Sequence, residues 1–268
     1  MSAVCQTATA QADQYCRQPL RASVNTESLY GPGQPRVRLD RETGVVTLVT
    51  RRWPVTAVNA VQVSPQRAFP PQWVLVTPGQ ARVRNPPVMS AGPAPVTVPS
   101  GGNTIDVAPE WITSWAGPFS ISLSTTSGYP HAGLTAQAAI GAGTLDVDDV
   151  TGWDGWTGWV YDGEFTEPAE VTAAVATTPV TLPGIGGTVQ AGPGTLTLAS
   201  PLVNQHKAGT VISALPLGAI HGVALLAAVQ ALETIDAIAV QSMNGQSVSI
   251  GALAEQAELL LDDFRRVF

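Results

Sequence analysis

The sequence predicts an α+β fold: a small helical core, made of an N-terminal helix and a C-terminal helix pair, with an antiparallel β-sheet and an inserted all-β module. Three observations carry this. Apolar residues step by three or four through Ile250, Leu253, Ala257, Leu260, Leu261, Phe264 and Val267. A looser series runs through Ile220, Val223, Ala224, Ala227, Val229, Leu232 and Ile235. Such spacing lines one face of a helix. Short alternating segments punctuated by Gly and Pro fill much of the chain before them, which is how antiparallel strands and turns are written. From His131 to Ala214 no helical pattern occurs although helix signals lie on both sides, so this block reads as set into the rest. The expected division is 1–130 for the first helix, small sheet and Pro-rich arm, 131–214 for the β-module, and 215–268 for the closing helix pair.

In order, Ser2 caps a helix running to about Arg17, with Val4, Ala8, Ala12, Tyr15 and Cys16 on one side, and Pro19 ends it. Cys5 and Cys16 lie about three helical turns apart, so both are expected as small buried thiols on that side. Strands follow at Val37 and Leu39, Val45 to Val49, Val58 to Val63, Trp73 to Val76 and Ala81 to Arg84, with Ile105 to Val107 and Phe119 to Thr125 closing the same sheet. Asn85 to Asn103 holds five prolines and three glycines and reads as an extended arm. Contact with a neighbouring copy would offset its ordering entropy. In the module, Leu145 and Val147 alternate with polar neighbours, and Trp159-Val160-Tyr161 meets the Asp162-Gly163 turn signal. Val171 to Val175, Leu196 to Leu198 and Val211-Ile212 complete it. After Pro216 the chain turns helical, Asn244-Gly245 makes a turn, Ser247 or Ser249 caps the last helix, and Arg265 and Arg266 suit its negative end.

With 268 residues, 44% of them hydrophobic, the chain is long and apolar enough to bury a core, although 26 Gly and 22 Pro make it rich in loops. The net charge of −7 is unevenly spread. Ten arginines from Arg17 to Arg84 face only Glu27, Asp40 and Glu42, so that segment is +7 and the remainder strongly acidic. The arginines are scattered among strand residues with no lysine between them. That fits surfaces that attract each other between copies better than a nucleic-acid face. Residues 1–6 lack the charged and apolar regions of a signal peptide, and the apolar run near Val223 to Val229 is far short of the roughly 20 residues of a membrane span. A cytoplasmic site of synthesis and no membrane partner are expected.

Signals for chemistry are weak. His131, His206 and His221 are scattered without a zinc-ligand spacing, and the two cysteines are too far apart for a metal knuckle or redox pair. Asp146, Asp148 and Asp149 resemble the start of a calcium loop, but Val150 falls where a ligand belongs, so they read as a solvated strand end. Gly184-Ile185-Gly186-Gly187 lacks the following helix that holds phosphate and reads as a hairpin loop. Glu164 and Glu167 read as an exposed carboxylate pair. No catalytic residue, metal site or cofactor is expected, and the chain is not read as an enzyme. The unusual local feature is Trp153-Asp154-Gly155-Trp156-Thr157-Gly158-Trp159. Trp153, Trp156 and Trp159 pack into the module, contact another subunit, or form a sugar-binding platform, in that order of preference.

Several segments together resemble the head-to-tail adaptor (connector) proteins of long-tailed bacteriophages. The carriers are Tyr15-Cys-Arg-Gln-Pro19 after the first helix, Arg52-Trp53-Pro54-Val55-Thr56-Ala57-Val58 followed by Val61 and Val63, the turn Ser127-Gly128-Tyr129-Pro130, and the final helix closing with Phe264-Arg265-Arg266. The β-module is an insertion that many members lack, and similar inserts, like the base composition, point to phages of actinobacterial hosts. The resemblance implies a structural virion protein of the neck, assembled in the host cytoplasm. It would form a ring of about twelve copies through head-to-tail contacts that close. The implied partners are the portal protein, a tail or stopper/terminator protein, other copies of itself, and DNA that passes through the lumen without sequence-specific binding. By the same resemblance Phe264, Arg265, Arg266 and Phe268 would meet the portal. The alternative is a tail or decoration protein that binds host surface glycan through Trp153, Trp156 and Trp159.

Overall fold

The structure, a computed structural model, describes residues 3–31, 36–40, 45–64, 67–69, 76–77, 104–107, 119–182, 187–234, 240–241, 247–248 and 250–265. It is a mixed α+β chain, with three α-helices and several antiparallel sheets among the described residues. Two compact units divide it: Arg21–Ala214 forms one, and Met1–Leu20 with Leu215–Phe268 forms the other.

The β unit contains β1 (Ser23–Gly31), β2 (Val37–Asp40), β3 (Val45–Val49), β4 (Val55–Ser64), β5 (Arg67–Phe69), β6 (Val76–Thr77), β7 (Thr104–Val107) and β8 (Phe119–Ser127). These form two four-stranded sheets, ordered β1-β8-β4-β5 and β2-β3-β7-β6, where one sheet was expected. β7 pairs with β3 and β6, while β8 lies between β1 and β4. β1 went unpredicted because its sequence, SVNTESLYG, is mostly polar; only Leu29 is a fully buried anchor. It is held by β8, a central strand whose Ser124, Thr125, Thr126 and Ser127 are all buried. Asn25 donates to Ser127 Oγ at 2.8 Å and Asn59 to Thr126 Oγ1 at 3.1 Å, which satisfies part of this polar strand. The expected strand at Trp73 to Val76 is described only from Val76, and Ala81 to Arg84 and the Pro-rich arm lie outside the described residues.

From His131 on, the unit adds β9 (His131–Gly133), β10 (Thr144–Val147), β11 (Thr157–Tyr161), β12 (Glu167–Ala176), β13 (Val180–Thr181), β14 (Thr188–Val189), β15 (Gly194–Leu198) and β16 (Val211–Ser213). Six of them form one sheet, β10-β15-β12-β11-β16-β9, and β13 and β14 pair as a separate hairpin. Strict alternation in β10, β11 and much of β12 turns Leu145, Val147, Val160 and Val171 inward against Leu196 and Ile212. Leu182 and Val189, beside and within the β13–β14 hairpin, pack on Ala60 and Val24 of the first sheet.

The helical unit holds α1 (Ala3–Cys16), α2 (Leu217–Thr234) and α3 (Ile250–Leu261), which continues into a 3-10 turn at Asp262–Phe264. Two short paired strands, β17 (Val240–Gln241) and β18 (Ser247–Val248), stand between α2 and α3. Ser247 is therefore a strand residue and not a helix cap, while Asn244, Gly245 and Ser249 lie outside the described residues. α1 buries Ala8, Ala12 and Cys16 at four-residue steps, a face of small side chains of which Ala12 and Cys16 pack with Leu20, Ala219 and Leu261. Its end is set before Pro19. Arg17 takes φ 56°, its N–H donates to the Gln14 carbonyl at 3.2 Å, and the Gln18 N–H donates to the Asp13 carbonyl at 3.1 Å. These two bonds satisfy the Gln14 and Asp13 carbonyls in the last turn of the helix. The expectation of two buried thiols fails at Cys5, which is exposed near the helix start, while Cys16 is buried. Burial, then Asp13, pushes the Cys16 thiol up to about 11.

Candidate interaction surfaces

The three tryptophans of the module have separate environments. Trp153 is fully buried in the core of the six-stranded sheet, where a β-carbon added to Gly158 would stand 2.8 Å from its ring. Trp156 is half-buried and meets the Tyr129 ring edge-on at 6.2 Å and 90°; Tyr129 in turn meets Trp53 at 6.1 Å and 86°. Trp159 points outward from β11 and is 47% exposed. A flat three-ring platform is therefore not what the backbone presents. Strand alternation sends residues two apart to the same face, but Trp153 and Trp156 precede the strand in a turn.

Outside the sheet, Trp159 stands opposite Pro168, and Thr157 opposite Glu170, all four exposed. The β11–β12 connection is a 3-10 turn at Gly163–Phe165 with Glu164 exposed and Phe165 54% exposed. This hairpin thus carries two aromatic rings and two carboxylates into solvent.

Glu164 and Glu167 are not the exposed pair expected from sequence, since Glu167 is buried. Its Oε1 lies 2.8 Å from His206 Nε2 and accepts the Asn204 N–H at 2.8 Å, and its Oε2 accepts the Val203 N–H at 2.8 Å. Asp162 Oδ2 lies 3.2 Å from the other His206 ring nitrogen. His206 has no exposed surface, so this cluster ties a loop to a hairpin and offers no access to a substrate. Positions 162, 167 and 206 show no local spacing that sequence could flag. Asp148 and Asp149 are likewise more than a solvated strand end. Asp148 accepts the Gly133 N–H at 2.7 Å, while Asp149 accepts the Thr151 N–H at 2.9 Å and pairs with Arg21 at 3.1 Å. Among the described residues no group of three or more His, Cys, Asp or Glu is arranged to hold a metal ion.

A polar cavity of about 240 Å³ opens beside the edge strand β1 and is lined by Asn25, Thr26, Glu27, Ser28, Arg36, Arg51 and Arg52. Arg36 pairs with Glu27 and donates to the Val49 carbonyl at 2.9 Å; Arg52 donates to Ser23 Oγ at 2.9 Å. Arg51 is exposed, and its N–H donates to Glu27 Oε1 at 3.0 Å. Three guanidiniums against one carboxylate leave the pocket at +2 (3 − 1).

In the helical unit, Phe264 is half-buried against the core, its ring 3.7 Å from the β-carbon position of Gly218, and its carbonyl accepts from Gln18 Nε2 at 3.1 Å. It is a packing residue rather than a protruding anchor. Arg265 lies over the Tyr15 ring at 5.2 Å and 3.8 Å from Asp262; Arg266 and Phe268 lie outside the described residues. α2 carries a single carboxylate, Glu233, and is apolar almost all round. Within its unit α1 and α3 cover only part of it. Leu217 is 61% exposed, and a cavity of about 320 Å³ lined by His221, Ala224, Leu225, Gln256 and Leu260 runs between α2 and α3. Among the described residues no helix is long and apolar enough to cross a membrane.

No protein-family model, no curated protein and no solved structure matches this chain.

Proposed function

We propose that this chain is a non-catalytic assembly protein of a phage virion, the head-to-tail adaptor whose ring joins the portal at the capsid vertex to the tail and lets DNA pass. The observation that carries it is α2. A helix apolar on nearly every side belongs in the interior of something larger, yet α1 and α3 leave Leu217, Leu225 and Leu260 partly or largely open within their unit. Fully burying an exposed leucine contributes about 1.5–3 kcal/mol, so covering Leu217 and the remaining open surface of Leu225 and Leu260 favours an interface. The helical unit then meets the portal, and the β unit makes the contacts between copies. The motifs around Arg52-Trp53-Pro54 and Ser127-Gly128-Tyr129-Pro130 support the same family, with Trp53 and Tyr129 in ring contact.

Electron microscopy of the purified protein, alone and with its cognate portal, tests this with mass by light scattering. Rings stacked on the portal with matching symmetry are expected. Leu225→Asp/Leu260→Asp should weaken portal binding at least tenfold while leaving the circular dichroism unchanged. A monomer that ignores the portal would reject the adaptor assignment and favour the glycan-binding alternative, which now rests on Trp159 and Phe165. Tryptophan fluorescence during titration with host polysaccharide would then decide it.

A further inference from the structure

We propose that the arginine pocket beside β1 receives the acidic, aromatic tip of the β11–β12 hairpin from a second copy of this chain. The inference rests on the ring assembly above and adds which surfaces meet. Residues 131–214 hold eight carboxylates, Asp146, Asp148, Asp149, Asp154, Asp162, Glu164, Glu167 and Glu170, against Lys207 alone, a net of −7 (1 − 8). Several of these are spent internally: Asp148 and Asp149 around Arg21, and Asp162 and Glu167 on His206. Asp146, Asp154, Glu164 and Glu170 remain exposed, the last two on the same hairpin as Trp159 and Phe165.

The pocket is the chemical complement of that tip. A guanidinium pairs with a carboxylate through two parallel N–H bonds and stacks on an indole face. Arg and Trp are the side chains that most often dominate interface energies. Glu27 and Ser23 hold Arg36 and Arg52 in place before any partner arrives, while exposed Arg51 stands at the rim. Such preorganisation lowers the entropy cost of docking. Pocket and tip are different patches, so the contact is heterologous and propagates head to tail, as ring closure requires. A nucleic-acid backbone is the poorer fit. The pocket has no lysine, and its Arg36 and Arg52 are paired within the chain rather than set in a basic run that tracks a phosphate backbone.

Two full-length charge-reversed proteins test this, Arg51→Glu/Arg52→Glu and Glu164→Arg/Glu170→Arg, each studied by light scattering and electron microscopy with and without portal. Each alone should lose rings, with self-association at least about tenfold weaker. The equimolar mixture should recover them, because each reversed pocket then faces the other protein's reversed tip. Recovery also shows that both variants fold. Rings formed by either variant alone, or no recovery in the mixture, would overturn the pairing even where the wild type forms rings. Loss of duplex-DNA binding by Arg51→Glu/Arg52→Glu with its rings intact would overturn it in favour of a nucleic-acid surface. A wild type that forms no ring under any of these conditions would remove the assembly premise itself.

Discussion

Glu167 shows how one side chain couples a buried network to pH. Burial pushes its carboxyl up, but the amides of Val203 and Asn204 and the His206 ring outweigh burial and leave it below its ordinary value. A carboxyl depressed by folding contributes stability above its unfolded value, and that contribution is lost as pH falls through the folded value. His131 is pushed down by burial and then by Arg21, against Asp148 and Asp149. Its neutral form favours the fold, so stability also declines as pH drops below about 6.5, where the unfolded ring begins to bind its proton. Denaturant unfolding between pH 7 and pH 3 should therefore show a first loss in the histidine range and a second in the carboxylate range. Glu167→Gln should cost about 1–3 kcal/mol at pH 7 and flatten the second loss; an unchanged acid slope in that variant would show that another carboxylate is responsible. None of this was legible in sequence, because the residues that make Glu167 unusual stand 36 to 39 positions away. The tryptophans were legible only in part. Their spacing marked a special turn, yet which ring is buried depends on where β11 begins.

At the scale of elements, α2 and α3 approach at Gly222. A β-carbon there would lie 2.7 Å from Leu261 Cγ and 3.3 Å from the Ala257 carbonyl, so the helices need a residue with no side chain at this point. Gly222→Val is expected to destabilise the helical unit by about 1–3 kcal/mol through overpacking, seen as an early loss of helical dichroism. The buried Trp153 emission of the β unit should not move with it, and a single cooperative transition shifted as a whole would contradict this. α1 and α3 were readable from sequence because each buries a face at a 3.6-residue period, and α2 because its apolar stretch is too long for a strand. The partition of strands between sheets was not. Local alternation says which side chains turn inward, but whether β7 or β8 pairs with β4 depends on register between distant segments. β1 was hidden because its own residues are mostly polar, while its partner β8 was readable through the alternation of Phe119, Ile121 and Leu123.

For the molecule as a whole, the two ends of the described chain meet in one unit and the β unit is what lies between them. A chain stopped after Ala214 should keep the near-ultraviolet dichroism of the buried Trp153, while Cys16 loses α2 and α3. In the full chain the exposed Cys5 thiol should react quickly at pH 8 and Cys16 slowly; in the shortened chain both should react at similar rates. A Cys16 still protected there would mean that α1 finds cover elsewhere. The same connectivity fixes a schedule for the newborn protein. Cys16 reaches Leu261 across 245 positions, and at roughly 5–20 residues per second, translation of that stretch takes on the order of ten to fifty seconds. The β unit leaves the ribosome complete within that interval, whereas α1 waits for its partners. An unfinished chain consequently has no closed helical unit to offer, and the order of synthesis itself withholds that surface until the last helix is made.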